Sequence, residues 1–232
     1  MSAATLNNFV DYLSCIAVAI GAYFLGSIPT GYLVVRAKGI DIRTVGSGNI
    51  GATNVFRILG KPAGIFVLGM DALKGFAAVT IIVNWYPELH RWLPKFFSAD
   101  GYSDNQLREN LGIVAGIFAV LGHNYTCWLK FKGGKGIATS AGVLVALVPW
   151  ALLIILVVFI MVFALTRYVS LSSIVASFAL PFAAWLTGSS LTLVFITTGL
   201  SALAIYKHKG NIQRLLNGTE NRMSFKRKPS TS

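Results

Sequence analysis

The chain alternates between long apolar runs and short polar segments. Six runs approach the length of a membrane span: residues 12–35, 63–85, 111–129, 137–165, 171–186 and 191–206. A helical span needs about 20 apolar residues, because the hydrocarbon core of a bilayer is about 30 Å thick. The pattern therefore predicts an all-α integral membrane protein. The first run has no basic leader or small-residue cleavage pattern, so we expect a retained helix and no removable signal peptide.

The run 137–165 is ambiguous, because a helix of that length extends about 44 Å. It forms either one tilted span or two short spans broken at Pro149, where proline removes a backbone donor. Two spans would place sixteen Lys and Arg on the cytoplasmic side and three in the external loop 86–110, as the positive-inside tendency favours. We therefore predict seven transmembrane helices, with the N-terminus outside and the C-terminus cytoplasmic.

Composition narrows the function classes. The chain is 55% hydrophobic and 12% charged, and its net charge is +12. The charged residues flank the predicted spans, so nucleic acid is not a predicted partner. Cys15 and Cys127 offer neither a zinc spacing nor a disulfide framework. We predict no metal and no cofactor. Residues 1–232 are predicted to form a single polytopic domain, with 221–232 as a flexible basic tail.

The segment "GSGNIGATN" has the composition of an anion-binding nest. Its glycines let backbone amides point into one concavity, its hydroxyl and amide side chains add neutral donors, and it contains no acid. Arg57 adds a forked positive charge suited to phosphate. The alternative is a flexible glycine turn that joins two helices.

The segment "KGGKG" is a second candidate for phosphate binding. Lys135 would bring a compact charge to the start of the following helix, where the helix dipole favours anions. Gly136 follows this lysine, so the segment is not a Walker A loop. The alternative is a basic loop resting on anionic lipid, which is all that Lys130 and Lys132 need do.

Other polar residues lie at helix ends or inside spans. His208 and Asn211 share a face if the last span continues as a helix, although a lone histidine at a helix end is more often a capping residue. His123 suits a structural hydrogen bond as well as catalysis. Asp71 and Lys74 lie inside the second span, where such a pair either neutralises itself or serves function.

Several catalytic classes lack their residues. The chain has no Gly-x-Ser-x-Gly elbow and no paired cytoplasmic carboxylates, so hydrolysis through a triad or a metal is not supported. A phosphate or organic-phosphate transporter is the alternative function. It predicts binding elements near the bilayer midplane and inverted repeats, whereas the glycine clusters lie at one face and no internal repeat is evident. A noncatalytic lipid-binding scaffold is a third reading.

Six segments together resemble the bacterial acyl-phosphate glycerol-3-phosphate acyltransferase family over residues 26–220. They are "GSIPTGY", "GSGNIGATNVFR", "DALKG", "GHNY" with "FKGGKGIATS", "SLSS" and "HKGNIQRLLNGTE". Family members are inner-membrane enzymes that transfer a fatty acyl group from acyl phosphate to the 1-hydroxyl of glycerol 3-phosphate. The products are lysophosphatidic acid and inorganic phosphate, in the first committed step of phospholipid synthesis.

The resemblance implies partners and site residues. The partners are the two substrates, membrane lipids and the soluble enzyme that supplies acyl phosphate, and the active site faces the cytoplasm. The implied catalytic residues are Ser47, Arg57, Lys135 and His208. The implied acyl-phosphate-binding residues are Gly46, Ser47, Gly48, Asn49, Thr53, Asn54, Gly133, Gly134 and Gly136. The implied glycerol-3-phosphate-binding residues are Arg57, Lys135, Ser173, His208 and Asn211. Spacing alone favours Ser173 over Ser170 and Ser172.

The chemistry of two phosphate substrates agrees with these residue types. Two anion pockets are needed, with no ionised acid close by to repel the substrates. Acyl phosphate is already activated, so positioning and charge stabilisation suffice without a covalent nucleophile. The proton of the attacking hydroxyl goes either to the donor's own phosphate oxygen, the hypothesis we favour, or to His208.

Overall fold

The computed structural model describes residues 3–92 and 104–223, and within these ranges the chain is helical with no strand. Of the external loop predicted at 86–110, residues 93–103 lie outside the described residues, whereas 86–92 and 104–110 are helical. Of the basic tail predicted at 221–232, residues 224–232 lie outside them. The chain divides into two compact units, Met1–Leu147 and Val148–Ser232. The single domain over 1–232 stays a prediction.

Unit 1 contains six α-helices among its described residues. They are α1 (Ala3–Ser27), α2 (Thr30–Arg36), α3 (Ala52–Leu59), α4 (Lys61–Trp92), α5 (Asp104–Asn124) and α6 (Ile137–Leu147), with 3₁₀ turns at Ile42–Thr44 and Cys127–Leu129. Helix α1 packs on α5, and α4 packs on α5 and α6. These contacts are close: a Cβ at Gly26 would collide with the Ala119 carbonyl, and one at Gly75 with the Thr139 carbonyl. Small residues at such contacts are typical of membrane helices, because they let the backbones approach.

Unit 2 contains α7 (Pro149–Thr166), α8 (Val169–Leu186), α9 (Leu191–Lys207) and α10 (Lys209–Leu216). Helix α8 packs on both α7 and α9. Helices α9 and α10 meet at His208 with a bend of 56°.

Five helices of the described part of the chain are long and apolar enough to cross a membrane, or six if the bent pair α9 and α10 is one span. The five spans are Cys15–Arg36, Lys61–Ile81, Arg108–Leu129, Pro149–Thr166 and Val169–Leu186. The prediction of a helical protein with several spans is confirmed. The predicted count of seven is not reached by this measure, and neither terminus is oriented by it.

The predicted break at Pro149 is confirmed. Helix α6 ends at Leu147, Val148 is the N-cap of α7, and Pro149 begins α7. Proline suits a first helical position, where the missing N–H has no intrahelical partner in any case. The consequence for the span count is that α6 has 11 residues, about 17 Å of helix, which is shorter than the hydrocarbon core.

One apolar cluster of unit 1 includes a residue of the first glycine segment and a residue just before the second. Its buried members are Val35, Ile42, Ile50, Val55, Val67 and Leu129. Ile50 belongs to "GSGNIGATN", whereas Leu129 precedes "KGGKG". A second link ties the latter segment to the end of α1, because Thr126 Oγ1 donates to the Ser27 carbonyl at 2.5 Å. The fold of unit 1 therefore places Ile50 of the first glycine segment and Leu129, just before the second, in the same cluster.

Candidate active site

The "GSGN" loop is held by one buried amide side chain. Asn54 is 1% exposed. Its Oδ1 accepts from the Ser47 backbone N–H at 3.0 Å, and its Nδ2 donates to the carbonyls of Val45 and Asn49 at 3.0 and 2.9 Å. A third carbonyl, that of Ile42, lies 3.4 Å from Nδ2. Asn54 therefore closes the loop on itself.

These bonds reduce the number of hydrogen-bond donors that the loop can offer to an anion. Both protons of the Asn54 amide are already donated within the loop, so the structure gives this residue a positioning role, whereas the sequence pattern made it a phosphate ligand. Three backbone amides that the anion-nest prediction invoked are also engaged: those of Ser47, Gly48 and Gly51. The acceptor of the Gly51 amide is Asn49 Oδ1, at 2.9 Å.

Gly46 and Gly48 have a conformational reason to be glycine. Their φ angles are 66° and 68°, in the left-handed region, which residues with a Cβ rarely adopt. A Cβ at Gly46 would also collide with Asn54 Oδ1. The loop is therefore a defined turn, and the alternative of a flexible linker is not what the structure shows.

The polar side chains around this turn lie at different depths. The side chain of Ser47 is exposed, and Thr53 is half-buried in the first turn of α3. Arg57 is exposed and lies in the last turn of α3. Because α3 has eight residues, it is about 12 Å long, which separates the backbone of Arg57 from the turn that holds Ser47.

One acid lies close to this loop and is neutralised. The Asp41 carboxylate accepts from Arg43 Nη2 at 2.6 Å and from Arg43 Nε at 2.9 Å. Hydrogen bonds from the Arg43 side chain lower the pKa of Asp41 to about 2. Asp41 is therefore ionised at neutral pH but presents its charge to an arginine.

The "KGGKG" loop is packed onto the end of α5. The Gly134 N–H donates to the His123 carbonyl at 3.0 Å, and the Gly133 N–H donates to the Asn124 carbonyl at 3.2 Å. A Cβ at Gly134 would collide with His123 Nε2, and a Cβ at Gly136 would lie 2.7 Å from Asn124 Oδ1. These three glycines therefore allow close packing in this structure, and their predicted contact with acyl phosphate stays a prediction.

Lys135 lies where the sequence pattern predicts it. It is half-buried and precedes the first residue of α6, Ile137, by two positions. The segment before it includes two residues with positive φ, Lys130 at 54° and Phe131 at 59°, so the chain reverses direction sharply there. The side chains of Lys130 and Lys132 are exposed.

The polar residues of unit 2 surround a carboxylate that the sequence analysis did not single out. Glu220 Oε1 accepts from Ser170 Oγ at 3.0 Å and from Asn211 Nδ2 at 2.9 Å, and Oε2 accepts from Arg214 Nε at 2.7 Å. The side chain of Glu220 is 5% exposed. The expectation that no ionised acid lies close to the site residues is therefore wrong at Asn211. A signal was present in the sequence, because Glu220 is the one acid in residues 148–232.

Opposing effects act on this carboxyl group. Burial raises the pKa of Glu220, but the hydrogen bonds from Asn211, Arg214 and Ser170 outweigh it, and the net pKa lies below the ordinary value. The group is therefore ionised at neutral pH, and Arg214 balances its charge.

Ser173 and Ser170 have different partners. Ser173 is 4% exposed, and its hydroxyl donates to the Val169 carbonyl of its own helix at 2.9 Å. Ser170 instead shares Glu220 with Asn211. Of the three serines in "SLSS", Ser170 is therefore the one that joins the hydrogen-bond network of Asn211.

His208 is buried at the bend between α9 and α10. It is 3% exposed, and its Nδ1 lies 2.7 Å from the Ala204 carbonyl. A carbonyl only accepts, so Nδ1 carries a proton and donates it. In the neutral ring Nε2 then carries the lone pair, which is the arrangement that a general base requires. Among the described residues, no group of three or more His, Cys, Asp and Glu side chains is placed to hold a metal ion.

Known proteins with similar sequences and structures share one description. A sequence model of the family described as "Glycerol-3-phosphate acyltransferase" matches residues 16–218. A glycerol-3-phosphate acyltransferase of Geotalea daltonii is 45% identical over 206 residues, which cover 89% of this chain and 96% of the relative.

Two solved structures are also similar to this chain. The glycerol 3-phosphate form of PlsY (YgiH), an integral membrane glycerol 3-phosphate acyltransferase, is 38% identical with a TM-score of 0.78, over 91% of this chain and 96% of PlsY. The lysophosphatidic acid form is 37% identical with a TM-score of 0.76, over the same shares of both chains. The family match and these similarities show that the chain belongs to the glycerol-3-phosphate acyltransferase family, in agreement with its helical spans and glycine loops.

Proposed function

We propose that this protein transfers a fatty acyl group from acyl phosphate to the 1-hydroxyl of glycerol 3-phosphate. The products are lysophosphatidic acid and inorganic phosphate, and the step belongs to phospholipid synthesis. The observation that carries the proposal is the pair of ordered glycine loops in unit 1, which hold Ser47 and Lys135 in a family whose solved member has glycerol 3-phosphate and lysophosphatidic acid forms.

The proposed reaction needs no covalent intermediate. The hydroxyl oxygen of glycerol 3-phosphate attacks the acyl carbon, the bond from that carbon to the phosphate oxygen breaks, and phosphate leaves. The hydroxyl proton goes to an oxygen of the donor's phosphate. Because acyl phosphate is already activated, holding the reactants about 3–3.5 Å apart and stabilising the developing charge supply the acceleration.

Within unit 1, the proposed acyl-phosphate site consists of Ser47 with the "GSGN" and "GGKG" loops. Ser47 is proposed to contact the phosphate through its exposed hydroxyl, while Asn54 keeps the turn in shape. Arg57, one helix length from that turn, is proposed to bind glycerol 3-phosphate together with Lys135. Ser173, His208 and Asn211 of unit 2 are proposed to serve the same substrate.

The decisive assay mixes purified protein with acyl phosphate and labelled glycerol 3-phosphate and measures lysophosphatidic acid and released phosphate. We expect the two products to form in equal amounts. Protein in sealed vesicles, tested for uptake of phosphate or glycerol 3-phosphate, separates the enzyme from a transporter. Uptake without acyl transfer would overturn the proposal. A parallel reaction with an acyl thioester tests whether acyl phosphate is the preferred donor.

Ser47→Ala tests the division of substrates. We expect the KM for acyl phosphate to rise more than the KM for glycerol 3-phosphate, because the lost hydroxyl belongs to the proposed donor site. Ser47→Thr keeps the hydroxyl and is the matched control. A larger rise for glycerol 3-phosphate would reverse the assignment.

His208→Ala tests the proton acceptor. If the donor's phosphate accepts the proton, the pH–rate profile of the variant keeps its shape. Its activity then falls because glycerol 3-phosphate binds more weakly. A shifted profile with turnover abolished and binding intact would transfer the role to His208.

We further propose seven membrane crossings in a bacterial inner membrane, with the N-terminus outside and the active site and C-terminus facing the cytoplasm. The distribution of Lys and Arg supports this arrangement, with α6 as a short seventh crossing. A reporter fused after Ser232 should be active in the cytoplasm. Activity only on the external face would refute the orientation.

A further inference from the structure

A cluster of three buried ionisable side chains lies inside unit 1. Asp71, Lys74 and His123 are 2%, 6% and 5% exposed. Lys74 Nζ lies 2.9 Å from Asp71 Oδ1, and His123 Nδ1 lies 3.7 Å from the same oxygen. These residues belong to the spans Lys61–Ile81 and Arg108–Leu129. Such groups are expensive inside a membrane, and a buried ion pair is often no more stable than an apolar replacement. Their presence therefore calls for a role beyond stability.

Lys74 reaches from the cluster to the "GSGN" loop through α2. Its Nζ donates to the Ile28 carbonyl at 3.0 Å. Ile28 lies at the break between α1 and α2, where Pro29 supplies no backbone N–H. Gly31 is the second residue of α2, and a Cβ there would collide with the Ile50 carbonyl. The bond from Lys74 therefore holds the start of the helix whose backbone lies directly against the loop.

Asp71 reaches from the cluster to the "GGKG" loop through His123. The imidazole has Nδ1 towards Asp71 and Nε2 towards the position that a Cβ of Gly134 would occupy. The backbone of His123 also accepts the Gly134 N–H at 3.0 Å. Lys135 is the next residue. The orientation of this ring therefore fixes the space into which the loop packs.

We propose that Asp71, Lys74 and His123 form one positioning element that holds the "GSGN" and "GGKG" loops in a fixed relation to each other. Lys74 donates to the Ile28 carbonyl just before α2, and Asp71 lies beside the imidazole of His123, whose backbone carbonyl accepts the Gly134 N–H. The element touches neither substrate and acts through Ser47 on one side and Lys135 on the other. The inference rests on the proposed function, since it assigns these residues to acyl transfer.

A charge-neutral double variant tests the element as a whole. Asp71→Asn with Lys74→Met removes both charges and keeps side chains of similar size, which avoids leaving one buried charge unpaired. We expect a folded protein whose kcat/KM falls about tenfold to a hundredfold, because small misplacements of substrate-binding groups have effects of this order. Thr80→Val on the same helix removes a bond to the Phe76 carbonyl that reaches neither loop, and should stay within about twofold of wild type.

Loop order is measured separately by tryptic cleavage. Cleavage after Lys135, relative to cleavage after Arg222 in unit 2, should be faster in the double variant because the loop opens more often. Wild-type kcat/KM for both substrates, together with an unchanged cleavage ratio, would overturn the proposal. Absence of lysophosphatidic acid synthesis by the wild type would instead overturn the proposed function, so the two failures are distinguishable.

A double-mutant cycle between His123 and Gly134 tests the second arm, and decides the matter if the neutral double variant does not fold. Gly134→Ala in the wild type forces a Cβ against the imidazole, whereas His123→Ala leaves room for it. We expect the fractional loss of kcat/KM caused by Gly134→Ala to be at least about tenfold smaller in the His123→Ala background. Equal losses in both backgrounds would show that the ring does not set the loop, and would overturn this arm.

Discussion

The turn that carries Ser47 depends on Asn54, so Asn54→Ala should disable it without touching a proposed substrate contact. The substitution removes three hydrogen bonds of 2.9–3.0 Å: one from the Ser47 amide and two to the carbonyls of Val45 and Asn49. The freed groups are partly exposed and regain water, so each bond is worth about 0.5–1 kcal/mol, and the loss is about 1.5–3 kcal/mol. Every 1.4 kcal/mol is a factor of ten. If these bonds supply most of the loop's order, kcat/KM falls about tenfold to 150-fold.

Steady-state kinetics with acyl phosphate, combined with tryptic cleavage after Arg43, measure both consequences. A loop that loses its fastening should be less active and cut faster, whereas a lost phosphate ligand would lower activity with no change in cleavage. Thr44→Val is the matched control, because Thr44 makes one exposed local bond, to the Asp41 carbonyl at 3.0 Å. Asn54→Ala with kcat/KM within about twofold of wild type would refute the fastening role.

Three further substitutions test packing and charge. Gly31→Ala should lower activity at least about tenfold, because the added Cβ meets a loop carbonyl, whereas Gly21→Ala, with no atom within 4 Å of its Cβ, should leave thermal stability and activity intact. Gly136 and Gly39 both have a positive φ, of 80° and 77°, but only a Cβ at Gly136 would meet a side chain. We therefore expect Gly136→Ala to lower activity and stability more than Gly39→Ala does. Equal losses would contradict the packing argument. Glu220 has a pKa below its ordinary value of 4.5, so its contribution to stability is complete above about pH 4.5 and is lost as the pH falls through the lowered pKa. Glu220→Gln should remove that acid-dependent step from thermal unfolding, and a step that persisted would place its origin elsewhere.

The helical spans could be predicted because each depends on local composition. Apolar length marks the runs, and Pro149 marks the break within 137–165, which the structure places at Val148. The bounds of α6 agree with the predicted start of the run at 137 and the predicted break at Pro149. Apolar length did not show that Gly133, Gly134 and Gly136 in the preceding loop allow its close packing against α5.

The candidate site was predictable in its location and less so in the roles of its residues. Asn54 and Ser47 look alike in sequence, as small polar residues of a glycine-rich segment without acids. Only the folded turn shows that the amide of Asn54 is spent on the loop while the hydroxyl of Ser47 is exposed. The role of Glu220 was missed because an acid among basic residues near the end of the chain suggests a solvated segment. Its contact with Asn211 appears only when the chain turns back after α10.

A reaction that needs no covalent partner depends on distance and charge, and this shifts importance towards residues that set the geometry of the loops. The two glycine loops are ordered by different means. The "GSGN" loop is fastened by the side chain of Asn54, whereas the "GGKG" loop is fitted against His123 and Asn124 through missing side chains. An error in either loop moves a proposed phosphate contact, yet neither fastening residue needs to touch phosphate. Variants of Ser47 should therefore alter the KM of one substrate first, whereas variants of Asn54 or His123 should lower kcat as well, because they change how often the complete site exists.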